Sequence, residues 1–134
     1  MNKLKFRAHI KHLDLTWYVD RINFDTQEVV FIYQTYFTQG GEYIFKFGEV
    51  EIMQFIGLKD KDDIEIYEGD IIRTQIKIDG NDTFEIKYEE SVGMFIGKPH
   101  KRDGEAFMFS MMKAGLPRPK NIQIEIIGDI YSQD

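Results

Sequence analysis

Carboxylates crowd the middle of this 134-residue chain. Asp60, Asp62, Asp63, Glu65, Glu68 and Asp70 fall within MQFIGLKDKDDIEIYEGDIIR, residues 53–73. Oxygen ligands at this density could hold a hard cation, and a spaced pair of acids could exchange protons. A calcium loop opening at Asp60 needs oxygen ligands at 60, 62 and 64, glycine at 65 and glutamate at 71. The chain has Ile64, Glu65 and Ile71 there. The cluster therefore reads as a polar turn, partly neutralised by Lys59 and Lys61. Glu68 and Asp70 flank Gly69, and an acid/base pair needs a buried pocket that drives two pKa values apart. Carboxylates beside a turn glycine are expected to face water. Gly69-Asp70 reads as an Asx-type turn, the glycine taking a backbone angle closed to other residues and the aspartate accepting local N–H groups.

The other chemically capable residues are sparse. His9, His12 and His100 are the only histidines. His9 and His12 differ by an odd number, so in a strand they point to opposite faces, which argues against zinc. Serine occurs only at Ser91, Ser110 and Ser132, none in a Gly-x-Ser-x-Gly elbow, and no phosphate-binding glycine loop is present. KPHKRDG (98–104) offers Lys98, His100, Lys101 and Arg102 on an expected loop, with Arg118 and Lys120 further on. Residues 98–120 carry a net +4 in a protein of net charge −6. These cations could contact phosphates, with an aromatic such as Phe95 stacking on bases. The plainer reading is a solvated loop in an acidic protein.

The elements that must position these residues are strands. Phe84, Ile86 and Tyr88 alternate with Thr83, Glu85, Lys87 and Glu89. Ile72, Thr74, Ile76 and Ile78 oppose Ile71, Arg73, Gln75 and Lys77, and Ile122, Ile124 and Ile126 oppose Gln123 and Glu125. Further strands are expected at 4–9, 15–20, 28–33, 43–47, 50–56 and 92–96. Asp79-Gly80 predicts a type I′ hairpin, and Gln39-Gly40-Gly41-Glu42 a second turn. DGEAFMFSMMKAGLP (103–117) breaks the alternation. Asp103 can cap a helix and Gly115 end it, so one buried helix is expected near residues 104–114. In FIYQTYF (31–37) aromatics lie on both parities: Phe31, Tyr33 and Phe37 on one, Tyr36 on the other. One side should meet something besides the main core, and a symmetric self-interface is the reading.

The totals agree with a folded soluble chain. Hydrophobic content is 43% and charged content 30%. With no cysteine there is neither a disulfide framework nor a thiolate site. MNKLKFRAHIKHLDL lacks the apolar run of a secretory signal, and no stretch is apolar enough to span a membrane. Length and the absence of a linker predict one domain over 1–134. YEGDII (67–72) and IIGDIY (126–131) share Gly-Asp-Ile and read as two similar turns, each feeding a strand.

Residues 53–73 resemble the YopX family of small phage and prophage proteins. The match lies in Gly57-Leu58-Lys59-Asp60-Lys61, then Ile66-Tyr67-Glu68-Gly69-Asp70-Ile71-Ile72. KFRAHIKHLDLTWYV (5–19) is similar to the family's opening hairpin, and IEIIGDIY (124–131) to its closing strand. Ile56 replaces a common threonine, and Asp62-Asp63 replaces an Asn-Gly turn, which changes the turn chemistry. Residues 89–120 match nothing in the pattern. The resemblance implies a mostly β structure with an SH3-like barrel. It implies no activity, cofactor or catalytic residue.

Together these readings give a mainly β protein: an antiparallel, strongly bent sheet or small SH3-like barrel with one helix. The expected function is a non-enzymatic binding or interaction module of phage origin in the bacterial cytoplasm, without cofactor. Its expected partner is itself or another protein. The alternative is nucleic-acid binding through Lys98, His100, Lys101, Arg102, Arg118 and Lys120.

Overall fold

Alternation of apolar and polar residues becomes twelve strands among the described residues. The structure is a computed structural model that describes residues 4–35, 38–108 and 124–132. The chain divides into two compact units, Met1–Gln54 and Phe55–Asp134.

In the first unit β1 (Phe6–Ile10) forms an antiparallel hairpin with β2 (Leu15–Tyr18). On its other side β1 pairs with the start of β6 (Val50–Lys59), from Phe6 opposite Gln54 to Ile10 opposite Val50. A second sheet runs in the order β3 (Arg21–Asn23), β4 (Glu28–Thr35), β5 (Thr38–Lys46). Ala8, Ile10, Val29, Phe31 and Val50 are buried together, with Phe45, Phe47 and Ile52 packed against them. Phe31 and Phe45 meet edge-to-face with 5.8 Å between ring centres. The turn expected at Gln39–Glu42 is not there. Thr35 pairs with Thr38, so the chain reverses earlier and the two glycines lie within β5.

In the second unit five strands follow the order β11 (Phe107–Met108), β10 (Met94–Pro99), β9 (Asn81–Glu89), β8 (Asp70–Ile78), β12 (Ile124–Asp129). β7 (Glu65–Tyr67) pairs with the end of β6. One cluster draws Ile56, Ile66, Ile72, Phe84, Ile86 and Ile124 from five of these strands. Side chains from so many strands share one core only if the sheet curls strongly, giving an antiparallel half-barrel. The predicted hairpin is present: Ile78 pairs with Asn81, and Asp79 and Gly80 both take positive φ, 50° and 78°.

The helix expected near 104–114 does not start where the pattern placed it. Asp103–Ala106 has no regular structure, and Phe107–Met108 is a short strand on β10. A sheet edge in need of backbone partners prevailed over local helical spacing. Residues 109–114 lie outside the described residues. The two Gly-Asp motifs are not two equivalent turns. Gly69-Asp70 feeds β8, whereas Gly128-Asp129 ends β12 beside a bulge, and Asp70 and Asp129 face each other across that pair of strands.

Candidate functional site

The acidic stretch is a brace. Asp60 is only 8% exposed. Its Oδ1 accepts the N–H groups of Asp62 and Ile64 at 2.8 and 3.0 Å, and its Oδ2 accepts that of Ile126 at 3.2 Å. Burial is the largest influence on this carboxyl and opposes its charge. The N–H groups of Ile64, Ile126 and Asp62, aided by Lys61, outweigh it and hold the pKa below the usual carboxylate value. Lys61 N–H also donates to the Ile124 carbonyl at 2.9 Å. The turn after β6 thus satisfies the outer edge of β12. Asp63 adopts φ 66°, the left-handed conformation a glycine would otherwise supply.

Asp70 is 2% exposed, and its Oδ2 accepts Tyr67 N–H at 2.8 Å. Gly69, at φ 90°, donates its N–H to the Ile86 carbonyl and accepts from Ile130 N–H. The sequence predicts that the carboxylates flanking Gly69 face water, and Asp70 departs from that; Asp60, read as part of a polar turn, is buried as well. Both are drawn inward because curled backbone leaves N–H groups that a short carboxylate can reach. Asp62 and Asp63 are exposed as expected, while Glu65 and Glu68 are half-buried. Among the described residues no three of His, Asp and Glu converge as a metal site.

The basic stretch is split by the fold. Lys98 is exposed on β10 opposite Glu85, and His100 and Lys101 are exposed on the following loop. The His100 backbone N–H donates to the Thr83 carbonyl. Arg102 reaches the hairpin instead, its Nη2 donating to the Gly80 carbonyl at 2.7 Å. Asp79 Oδ2 accepts Glu105 N–H at 3.0 Å, so the loop straps the hairpin from both sides. Phe95 packs against the core cluster and edge-on to Tyr88, at 5.4 Å, rather than standing free to stack on a base. Arg118 and Lys120 lie outside the described residues.

His9 and Thr16 are cross-strand partners in the first hairpin, with Nδ1 and Oγ1 2.9 Å apart. His9 Nε2 lies 3.1 Å from Asp14 Oδ1. Sequence parity alone missed this hydroxyl–imidazole–carboxylate alignment, because Asp14 enters it through a left-handed turn, φ 49°. It closes the hairpin side chain to side chain, as cross-strand pairs do.

The concave surface of the first unit is elsewhere. Ile10, Leu13, Leu15, Trp17, Phe31, Tyr43 and Phe45 line a groove of about 400 Å³. Buried Ile10 and Phe31 form its floor, while Leu13, Leu15, Trp17 and Tyr43 remain 54%, 46%, 38% and 52% exposed. Its walls come from the first hairpin and from β4 and β5. Aromatic–aliphatic walls around a half-open space can desolvate an apolar side chain. None of these lining residues is an acid, a base or a histidine. The signal in the sequence was Leu13, Leu15 and Trp17: Leu15 and Trp17 share one face of β2, beside a strand pair rich in aromatics. The surplus of aromatics in residues 31–37 was read as a symmetric self-interface; of them, Phe31 lines this groove. The side chains of Tyr33, Tyr36 and Phe37 are outside the described residues.

Among the described residues no helix is long and apolar enough to cross a membrane. The family model described as "YopX protein" matches residues 5–134, nearly the whole chain. A solved structure, that of protein EF1440 from Enterococcus faecalis, superposes with a TM-score of 0.57 at 23% identity, covering 98% of this chain and 95% of that one. That likeness concerns the fold. No curated protein matches the chain.

Proposed function

The chain belongs to the YopX family, and we propose that it is a non-enzymatic interaction module that receives an apolar segment of a protein partner in the groove of its first unit. One observation carries this reading: four large apolar side chains stay substantially exposed around a concave, buried floor. Scattered exposed apolar residues are ordinary, but a concave group of them is a contact surface. The volume suits one or two aromatic or aliphatic anchor side chains.

Trp17 is the sole tryptophan, so the groove carries its own reporter. Peptides rich in aromatic and aliphatic anchors should blue-shift Trp17 emission, and polar scrambles should not. Replacing Leu15 with aspartate should abolish the response. Emission indifferent to every such peptide would remove the proposal.

A second reading is supported by the exposure of Lys98, His100 and Lys101 on one short stretch. There the chain binds nucleic acid, with Arg102, Arg118 and Lys120 adding charge. Affinity should then fall steeply with salt, and Lys98→Ala with Lys101→Ala should flatten that dependence. Absence of binding at low salt would exclude it.

A further inference from the structure

β5 is the outer strand of its three-stranded sheet, and among the described residues it pairs with β4 alone. Edge strands are normally blunted by shortness, proline, bulges or inward charge. β5 runs for nine residues without proline. The only irregularity in its pairing with β4 falls between Tyr33 and Thr35, at the hairpin end. Gly40 to Lys46 therefore presents a regular ladder edge. Ile44 is 53% exposed there, and Ile32, on the same face of neighbouring β4, is 43% exposed.

We infer that this edge pairs antiparallel with the β5 of a second copy, across a two-fold axis at Ile44. The inference rests on the interaction-module reading and uses the backbone edge of β5, which shares Tyr43 and Phe45 with the groove wall but not Leu13, Leu15 or Trp17. A two-fold antiparallel pair must set one residue opposite its own copy, so the possible registers are few. Centring on Glu42 opposes two like charges, which is unfavourable. Centring on Tyr43 sets Glu42 against Ile44 and Lys46 against Gly40, leaving both charges without counterpart. Centring on Phe45 sets Lys46 against Ile44 and again leaves the charge unmatched. Centring on Ile44 sets Glu42 opposite Lys46 of the second copy and Lys46 opposite its Glu42. Tyr43 then faces Phe45 on each side, and Ile44 faces itself. Charge, aromatic and aliphatic positions are complementary only there. Within one chain Glu42 meets Arg21 at 2.7 Å and Lys46 meets Glu28 at 3.3 Å. These are surface pairs that leave donors and acceptors spare for a cross-copy contact.

The test is a charge swap read by sedimentation equilibrium over a wide concentration range. The wild-type chain should form a dimer. Glu42→Lys should weaken it at least about tenfold, since the introduced ammonium then meets Lys46 of the second copy at both ends of the paired edge. Combining Glu42→Lys with Lys46→Glu should restore it. Far-UV circular dichroism confirms that each variant is folded, and amide exchange along residues 40–46 gives an independent readout, with protection rising with concentration. A wild-type chain that stays monomeric, a single swap without effect, or a double swap that fails to rescue each overturns the inference. Leu15→Asp should leave the dimer intact while abolishing groove binding, so the two proposals fail separately.

Discussion

Asp60 holds the backbone N–H of Ile126, 66 residues further along the chain, at 3.2 Å. The same carboxylate closes its own turn through Asp62 and Ile64. One short side chain therefore joins a local reversal to the edge of the closing strand. It does so through three charge-assisted hydrogen bonds, each stronger than a neutral one.

Replacing Asp60 with alanine strands those three N–H groups. Loss of a partner for a buried donor costs about 1–3 kcal/mol, and some of these donors can recover water. A destabilisation of about 3 kcal/mol is expected by urea unfolding. Asparagine retains one acceptor oxygen and should cost less. A variant as stable as the wild type would show that the brace contributes nothing.

Acid should act through the same residue. The folded pKa of Asp60 lies below its ordinary value of 3.8, so the folded state favours the ionised form. Its contribution is complete above the unfolded value and is lost as pH falls through the folded one. The stability gap between wild type and Asp60→Asn should therefore narrow as urea titrations move to acid pH. A gap that stays constant would assign the brace to shape and not to charge.

Gly80 and Arg102 should separate turn geometry from surface charge. An alanine at Gly80 must adopt φ near 78° and place its Cβ against the Arg102 guanidinium. A loss of about 1–2 kcal/mol is expected. Arg102→Ala should cost less, while Lys98→Ala and Lys101→Ala should leave the melting temperature unchanged. Equal losses across all of these would contradict a specific strap by Arg102.

Phe84 is fully buried at the centre of the second unit's core. Phe84→Ala should cost about 3–5 kcal/mol through lost burial and an unfilled cavity. Tyr88, on the same strand but 47% exposed, should lose less on truncation. Thermal unfolding of both variants decides whether this core carries the stability of its unit.

Much of this protein is settled by residues within a few positions of one another. Period-two alternation predicts the strands and the buried pairs Ile72, Thr74 and Phe84, Ile86, although Tyr88 at the end of its row is exposed and Thr83 and Ile71 on the opposite rows are buried too. Asp79-Gly80 makes its hairpin because two successive positive φ angles are cheap only for such a pair. The acidic stretch was legible as a polar turn, and Asp60 closes that turn with backbone hydrogen bonds. Strong bending of the sheet was legible, but not which residues the bend brings together. How far a sheet curls depends on which strands share a core, and only that curl brings Ile126 to Asp60, buries Asp70 and draws Arg102 onto Gly80. Phe107–Met108 pairs with β10 for the same reason: an open ladder offers backbone partners that a local helical pattern cannot register. The apolar groove and the place of β5 at the end of its sheet among the described residues belong to tertiary structure as well, because strand order, which no local rule encodes, decides which apolar faces are covered and which stay exposed.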